Sequence, residues 1–426
     1  MILWTFGLAA VVAVSYIYSL RLNNPPIRSD GLGYYVYLPA FLIDHDPTFK
    51  TTVERLFRGL SPNFAGLSIY PETGHYLDKF PLGTALLQLP FFLAADGLTM
   101  LLGLDRSGVS PTYQVANVAS GFFYFLAGLF VLLGTLQKFF EDRIVALTAA
   151  LIVFGTNVFH YATYDGSFSH VYTFALASFY VALLLRYAQS PGIGLAAASG
   201  AVLGLIVITR NVNAILGLLA FGIWLQAARK SAFRISSWRE AAVFGACLIG
   251  AVAPLLVYWK FATGHFLVYS YGVEAFNWAQ PNIVNFLFSV RKGLVFWTPA
   301  ILVAVAGFLF LPRALRAFGA WAALCIAGHL YVCASWEAWS FGGSFGSRPF
   351  VDVMPILAFP FAAALAEIAR RWNAAVVRRM VIGLIVVNCI LMNAYWVGII
   401  PYDETTLQHI LNLPANYYAV LTRRFI

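Results

Sequence analysis

Residues 193–228 read IGLAAASGAVLGLIVITRNVNAILGLLAFGIWLQAA, two apolar runs separated by Arg210, Asn211 and Asn213. A helix needs about 20 apolar residues to cross the hydrocarbon core of a bilayer, and each run approaches that length. The stretch therefore predicts two membrane helices joined by a tight polar turn. An arginine at that depth is costly in lipid, so Arg210 is a candidate functional residue, although simple anchoring of a helix end explains it equally well.

The same apolar pattern recurs along the whole chain. Of its 426 residues, 61% are hydrophobic and 11% are charged, whereas soluble domains are about 45–50% apolar and about 25% charged. This composition excludes soluble, disordered, collagen-like and coiled-coil proteins. We therefore predict an all-α polytopic membrane protein with about eleven spans, within a range of about ten to thirteen. The predicted spans lie near 2–20, 113–136, 144–162, 168–187, 193–209, 213–228, 240–260, 293–311, 317–335, 350–368 and 379–399.

Two apolar runs, at 2–20 and 82–103, differ from the other predicted spans. The run at 2–20 lacks a basic leader and an obvious cleavage site, so we expect a retained first helix rather than a signal peptide. The run at 82–103 contains Pro90 and Asp96, and a full crossing there would reverse the sidedness of the loops that follow. We therefore expect it to be re-entrant or interfacial and broken at Pro90.

The net charge of +9 indicates orientation rather than nucleic-acid binding, because the basic residues cluster in short segments between apolar runs. Placing these segments in the cytoplasm puts the loops at 160–168, 210–213, 261–292 and 336–349 on the outer face. Residues 1–399 then form one membrane domain with a first outer loop at 21–81, and 400–426 form a short tail. The basic residues that set this orientation are Lys138, Arg143, Arg229, Lys230, Arg234, Arg239, Arg313, Arg316, Arg370, Arg371, Arg378 and Arg379.

The first outer loop carries two candidate residues at membrane level. Asp30 follows the first span and precedes an aromatic, amphipathic stretch at 34–43 that is typical of the headgroup layer. Its carboxylate suits either a helix N-cap or a catalytic base, and the residues alone favour the cap. Lys79 stands before a Pro-Gly-containing apolar run, where a cation either extends harmlessly to the interface or binds a lipid phosphate.

A second polar patch, at 156–170, contains His160, Asp165 and His170. These are residue types that bind metal, but their spacing matches no zinc motif, and hydrogen bonding alone is the favoured interpretation. The sequence fixes no cofactor, and a divalent metal ion is the one candidate that it offers.

The loop at 336–349 reads WEAWSFGGSFGSRP, a flexible Gly-Ser turn that ends in Arg348. Exposed backbone N–H groups and a guanidinium suit a phosphate, while Trp336 and Trp339 suit sugar faces or the membrane interface. The turn is not a P-loop, because the GxxxxGK[ST] spacing is absent. Serine-hydrolase, zincin, dinucleotide and EF-hand motifs are absent as well, and the four cysteines show no CxxC spacing.

Four elements of this sequence together resemble the GT-C superfamily of integral-membrane glycosyltransferases, the group of the protein O-mannosyltransferases and the lipid A aminoarabinose transferases. The resemblance covers about residues 2–368 and rests on the order and sidedness of the elements. The sequence departs from the family where Gly31 replaces the second acidic residue and Phe80-Pro81 replaces a Pro-Pro pair. The four elements are Ser29-Asp30-Gly31-Leu32-Gly33-Tyr34-Tyr35, Lys79-Phe80-Pro81-Leu82-Gly83, the run from Gly200 and Gly204 to Thr209-Arg210, and Gly346-Ser347-Arg348-Pro349.

The resemblance implies transfer of a sugar from a polyprenyl-phosphate donor to a glycan, lipid or protein acceptor. It also implies a bacterial inner-membrane protein whose active site faces the periplasm, with membrane lipids as neighbours and no nucleic-acid partner. Asp30 would act as base, with Asp165, His170 and Glu337 as second-choice acid/base or metal residues. Lys79, Arg210 and Arg348 would bind the donor phosphate. The residues expected to bind substrate are Tyr34, Tyr35, His170, Glu274, Trp336 and Trp339.

Two other classes of protein remain open at this point. A lipid-linked-saccharide flippase or small-molecule transporter predicts charges at mid-membrane and internal symmetry, but most acidic residues here lie in predicted outer loops and no inverted duplication is visible. A non-catalytic membrane scaffold predicts that Asp30 and Arg348 tolerate substitution. A glycosyltransferase is the favoured interpretation.

Overall fold

Helices make up nearly all of the regular structure, because a chain in lipid must satisfy its backbone hydrogen bonds internally. The computed structural model describes Gly7, Ala9 and residues 25–230 and 235–423. The predicted first span at 2–20, apart from Gly7 and Ala9, and the basic residue Arg234 therefore lie outside the described residues. The all-α class predicted from the composition is confirmed.

The first loop folds into short helices and one small sheet. Its two strands pair antiparallel, with Leu67 opposite Asp78 and Ile69 opposite Tyr76. The hairpin ends directly before Lys79, and so it fixes where that side chain begins. The elements are α1 (Asp30–Tyr35), α2 (Tyr37–Leu42), α3 (Lys50–Leu56), a 3-10 turn (Pro62–Ala65), β1 (Leu67–Ile69) and β2 (Tyr76–Asp78).

The helices of the central part of the chain include most of the predicted spans. They are α4 (Gly83–Leu101), α5 (Pro111–Leu136), α6 (Asp142–Phe154), α7 (Val158–Thr163), α8 (Ser169–Gln189), α9 (Ile193–Thr209), a 3-10 turn (Asn211–Leu216), α10 (Gly217–Lys230) and α11 (Ile235–Thr263).

The C-terminal part alternates short and long helices. They are α12 (Ile283–Phe288), α13 (Leu294–Trp297), α14 (Ile301–Gly307), two 3-10 turns (Phe308–Phe310 and Arg313–Leu315), α15 (Arg316–Ser335), a 3-10 turn (Arg348–Val353), α16 (Met354–Arg371), α17 (Ala374–Trp396), α18 (Leu407–Leu411) and α19 (Leu413–Arg423).

Seven helices of the described part are long and apolar enough to cross a membrane, and three shorter apolar helices accompany them. The number of about eleven spans stays a prediction, since one of its members lies outside the described residues. The seven long helices are Gly83–Leu101, Pro111–Leu136, Ser169–Gln189, Trp238–Thr263, Arg313–Ser335, Arg348–Arg371 and Ala374–Trp396; the shorter ones are Ile193–Thr209, Asn211–Gln226 and Ile301–Phe310.

The predicted break at Pro90 is wrong, because α4 runs without interruption through this residue. A proline inside an apolar helix removes one hydrogen bond, but lipid offers the chain no better alternative. Gly83 at the start of α4 packs against the Ile208 backbone of α9, and Thr99 near the end of α4 bonds Thr112 at the start of α5. The interfacial placement of 82–103 stays a prediction, and α4 is itself long and apolar enough to cross a membrane.

Two predicted spans are interrupted in the structure. The span at 144–162 divides into α6 and α7 around Gly155, where the chain turns beside the loop that carries Arg348. The span at 293–311 divides into α13 and α14, because Pro299 follows α13 and cannot continue its hydrogen bonding. Both interruptions place polar backbone groups among packed residues rather than in lipid.

The segment 348–371 lies at the centre of the bundle. It is buried along almost its whole length, including Phe350, Ile356 and Phe361. Near its start, Asp352 is fully buried, whereas Arg348 at its first position is partly exposed. This central segment provides a rigid support for the residues at its N-terminal end.

Candidate active site

Segments that are distant in sequence meet at one cavity of about 290 Å³. They are the start of α1, the end of the β hairpin, the turn after α9, the loop after α11 and the loop before the central segment. The residues lining the cavity are Ser29, Asp30, Tyr34, Lys79, Phe80, Arg210, Tyr271, Glu274, Trp336, Ala338, Phe341, Gly342, Gly343 and Arg348.

Asp30 pairs with Arg348 across the cavity, with 2.8 Å between Oδ2 and NH1. Asp30 is the first residue of α1, and Ser29 occupies the N-cap position without a side-chain capping bond. The N-cap interpretation of Asp30 is therefore wrong. A side chain at Gly31 would clash with Ser167, whose Oγ would lie 2.0 Å from the added Cβ. This close packing explains why no second acidic residue follows Asp30.

Lys79 and Glu274 form the second ion pair of the cavity, with 2.7 Å between Nζ and Oε1. Both side chains are partly exposed to the cavity. The Lys79 ammonium also lies 5.3 Å from the ring centroids of both Phe80 and Tyr271. Because the ammonium is only partly enclosed, it can turn toward an anionic ligand without leaving a buried charge unpaired.

Arg210 is held from behind by Asp352, with 3.0 Å between Nε and Oδ2. Asp352 is fully buried, accepts a hydrogen bond from Asn213 at 2.9 Å and lies 2.9 Å from Nδ1 of His170. A buried carboxylate with several partners is costly to displace, so it fixes the guanidinium in place. Arg210 is thus a cation of the cavity that is paired with a fully buried carboxylate.

Aromatic rings close the sides of the cavity. The rings of Tyr34 and Phe80 lie 4.4 Å apart, and those of Tyr271 and Trp336 lie 5.2 Å apart, edge to face. Burial raises the pKa of both Tyr34 and Tyr271, so their phenol groups stay protonated at neutral pH. The walls therefore offer neutral hydroxyls and flat apolar faces beside three cations.

The cavity brings together seven of the twelve predicted site residues, namely Asp30, Lys79, Arg210, Arg348, Tyr34, Glu274 and Trp336. The other five do not line it. His170 and Asp165 are buried in side-chain networks, the former with Asp352 and the latter with Arg28 and His160. Tyr35 points away and donates to the Gly108 carbonyl at 2.6 Å. Trp339 packs against the core, and Glu337 is exposed. The catalytic roles of Asp165 and Glu337 stay predictions.

Sequence reasoning did not select Asp352, although a signal was present. Asp352 lies inside the predicted span at 350–368, and an acidic residue within an apolar span is by default a functional candidate. Tyr271, Phe80 and Phe341 gave no comparable signal, because aromatic residues are common at membrane interfaces. Their contribution depends on the fold of three loops that are distant in sequence.

The polar patch at 156–170 is not arranged around a metal. Asp165 pairs with His160, whereas His170 turns to Asp352. Among the described residues, no group of three or more His, Cys, Asp or Glu side chains could hold a metal ion together.

No protein-family model and no curated protein matches the chain. Among solved structures, it is similar to ArnT from Cupriavidus metallidurans bound to undecaprenyl phosphate, with 15% identity, a TM-score of 0.43 and coverage of 76% of this chain and 66% of that chain. It is also similar to the archaeal oligosaccharyltransferase AglB from Archaeoglobus fulgidus in complex with an inhibitory peptide and a dolichol-phosphate, with 11% identity, a TM-score of 0.46 and coverage of 95% and 56%.

Both solved structures are GT-C membrane glycosyltransferases, the superfamily that the four sequence elements resemble. The chain spans less than two thirds of the length of either one. At these identities and TM-scores, the likeness assigns neither a substrate nor a catalytic residue to this chain.

Proposed function

We propose that the chain transfers a sugar from a polyprenyl-phosphate-linked donor to the hydroxyl group of an acceptor. One observation carries this proposal: a cavity beside long apolar helices combines a carboxylate, Asp30, with three cations, Lys79, Arg210 and Arg348. A lipid phosphate needs cations near a membrane, and a hydroxyl nucleophile needs a base within reach.

The proposed reaction needs two groups of residues with opposite tasks. Asp30 accepts the proton of the acceptor hydroxyl as its oxygen forms a bond to the anomeric carbon. The bond between that carbon and the phosphate oxygen breaks, and its electron pair leaves with the lipid phosphate. Lys79, Arg210 and Arg348 stabilise the charge that develops on this phosphate.

The ion pairs of the cavity fit this division of tasks. Each of the three cations faces a carboxylate, of Asp30, Glu274 or Asp352. Phosphate oxygens can take the place of Asp30 on Arg348 and of Glu274 on Lys79, since both pairs lie at the cavity. The first exchange frees the Asp30 carboxylate to act as base.

The membrane face to which the cavity opens determines which acceptors can reach it. The loops that line the cavity are long and carry basic residues at a lower density than the short segments at 138–143 and 370–379. By the positive-inside rule the cavity faces the outside, which is the periplasm in a bacterial inner membrane. The acceptor is a glycan, lipid or protein hydroxyl that reaches the cavity from that side.

The test is purification in mild detergent followed by mass spectrometry of co-purified lipids and an assay with radiolabelled polyprenyl-phosphate sugars in vesicles. We expect the wild-type protein to co-purify with a polyprenyl phosphate or its sugar ester. In vesicles, we expect the label to move from the donor into an acceptor fraction. Arg106→Met serves as the control for variants of the cavity residues and should keep the activity, because Arg106 pairs with Asp96 away from the cavity. Transbilayer movement of the donor without cleavage of its sugar would favour the transporter class instead.

A further inference from the structure

Four side chains form a hydrogen-bonded chain behind the cavity. It begins at Arg28, the residue before the cavity residue Ser29, and none of its members lines the cavity. Arg28 donates from NH2 to Oδ1 of Asp165 at 2.6 Å, and Asp165 Oδ2 lies 2.9 Å from Nε2 of His160. Trp396, at the end of α17, donates from Nε1 to Nδ1 of His160 at 2.8 Å. We propose that this chain positions Asp30, and thus that Arg28 and Asp165 are positioning residues for the proposed sugar transfer.

The hydrogen bond from Trp396 fixes the protonation state of His160. An indole nitrogen can only donate, so Nδ1 of His160 must accept and carries no proton. The ring proton then lies on Nε2 and is donated to Asp165, and His160 is neutral. Within the part of the chain that the structure describes, Arg28 is therefore the one cation that pairs with the Asp165 carboxylate.

The charges support a permanent contact between Arg28 and Asp165. Asp165 is 4% exposed. Although its burial acts in the opposite direction, Arg28 and the His160 hydrogen bond hold the pKa of Asp165 below its ordinary value. An ionised carboxylate at that depth needs its cation, because removal of one partner of a buried pair is strongly destabilising.

Arg28 is further restrained by the residues around Asp165. Its NH2 also donates to the Tyr164 carbonyl at 3.2 Å, and its guanidinium lies 4.6 Å from the centroid of the Tyr164 ring. One residue earlier, the Ile27 N–H donates to Gln114 at 2.9 Å. The backbone that leads to Asp30 is thus attached to both α5 and the turn between α7 and α8.

Ser29 shows why the attachment matters. Its φ of 46° lies in the left-handed region, which a non-glycine residue adopts at a cost of about 1–3 kcal/mol when its surroundings enforce it. Arg28 is fixed on one side of this strained residue by Asp165, and Asp30 on the other by Arg348. Once Arg28 is released, Ser29 can relax and move Asp30, so the strain couples the buried chain to the cavity.

The test removes both charges of the buried pair, so that no unpaired charge remains. The double variant Arg28→Met with Asp165→Asn is compared with Arg106→Met with Asp96→Asn, which removes a bidentate ion pair of the same region away from the cavity. Hydrogen–deuterium exchange is measured for the peptide covering 25–36, together with melting temperature, kcat and the KM for the donor. Arg28→Lys serves as the conservative variant.

We expect faster exchange at 25–36 in the Arg28/Asp165 variant only, and a fall in kcat of at least about tenfold with little change in the donor KM, since the phosphate-binding cations stay in place. Arg28→Lys should recover part of kcat. Unchanged exchange at 25–36, or a loss of kcat equal to that of the control at matched stability, overturns the inference. The inference rests on the proposed function, but if the wild-type protein transfers no sugar, that function fails while the exchange result still decides whether the chain positions Asp30.

Discussion

At the scale of single residues, Asp30 has the most specific proposed role, and an amide at this position tests it. Asp30→Asn keeps the size of the side chain but cannot accept a proton at neutral pH. Because its partner Arg348 remains free to bind phosphate, we expect sugar transfer to be abolished while donor binding survives. The measurements are turnover in vesicles and equilibrium binding of polyprenyl phosphate. Turnover within about tenfold of wild type would show that Asp30 is not the base.

Substitutions of Arg348 test whether this residue binds the donor phosphate. Its guanidinium offers a planar set of donors that can hold a phosphate bidentately, whereas lysine keeps only the charge. A charge-assisted hydrogen bond contributes about 1.5–3 kcal/mol, or roughly ten- to a hundredfold in affinity. We expect Arg348→Ala to lose about this much donor affinity and Arg348→Lys to lose part of it. Binding constants and melting temperatures should be measured together, since equal affinities with a lower melting temperature for Ala would assign Arg348 a structural role only.

The burial of Lys292 should make the stability of the folded protein depend on pH. It is buried behind the Gly-Ser turn, where it donates to the carbonyls of Ser344 and, at 2.6 Å, Tyr402. Burial lowers its pKa to about 7, with Arg348 and Arg291 acting in the same direction and Asp403 opposing them. The unfolded chain therefore binds more protons than the folded one from pH 7 up to the ordinary pKa of lysine, about 10.4, so this group adds stability as the pH rises.

The measurement for Lys292 is the melting temperature at pH 7 and pH 9.5 in wild type and Lys292→Met. The wild type should gain more stability over this interval than the variant, because methionine has no proton to lose. The neutral amine keeps two N–H donors for its two carbonyls, so turn geometry should not change. Parallel pH profiles for the two proteins would contradict the shift.

How far these residues could be predicted depends on what surrounds them. Asp30, Lys79 and Arg348 stand out because a charge beside an apolar run has few explanations. Asp165 and His170 carried the same kind of signal, yet each is paired with a side chain from a distant segment, Arg28 and Asp352 respectively. Local sequence shows that a polar residue needs a partner, but the fold decides whether that partner is a ligand or another side chain.

At the scale of elements, the packing of α9 on α11 depends on two glycines one turn apart. A Cβ at Gly200 would lie 2.1 Å from the Phe244 carbonyl oxygen, and one at Gly204 would lie 2.7 Å from that of Leu248. Small residues at this spacing let two helix backbones approach closely in a membrane. Since α9 ends at Arg210, this contact also sets the position of a cavity residue.

We expect Gly200→Ala to lower the stability of the protein, by about 1–3 kcal/mol as for other overpacked sites. Gly250→Ala is the matched control, because Gly250 lies on α11 with open space around it and alanine is the better helix former. Melting temperatures in detergent measure both variants, and Gly250→Ala should be neutral or stabilising. An equal response at the two positions would show that the close approach of α9 and α11 is not required.

Element type was easier to predict than element boundaries. The apolar runs gave the helices because lipid leaves the backbone no other partner. At the Gly155 interruption, Asn388 of α17 donates to the carbonyls of Phe154 and Thr156, a contact between distant segments that local sequence does not reveal. At Pro299 the helix is broken, whereas α4 continues through Pro90. Proline in an apolar run therefore has no fixed meaning until its neighbours are known.

For the molecule as a whole, sidedness decides which of the proposed substrates could reach the candidate site. The central segment begins at Arg348, which lines the cavity, and ends at Arg371. The cavity and the C-terminal end of α16 therefore lie at opposite ends of this segment. The basic cluster at 370–379 predicts that the Arg371 end is cytoplasmic and that the cavity is outside.

Labelling of single cysteines tests this orientation at two exposed positions, Glu337 in a cavity loop and Arg371. The half-buried Cys247 and Cys389 are first replaced by serine, and the two buried cysteines are left in place. With a membrane-impermeant maleimide, Glu337→Cys should react in intact cells, whereas Arg371→Cys should react only after permeabilisation, which also serves as the control for reactivity. The reverse pattern would put the cavity on the cytoplasmic side. An acceptor outside the cell would then be out of reach of the cavity.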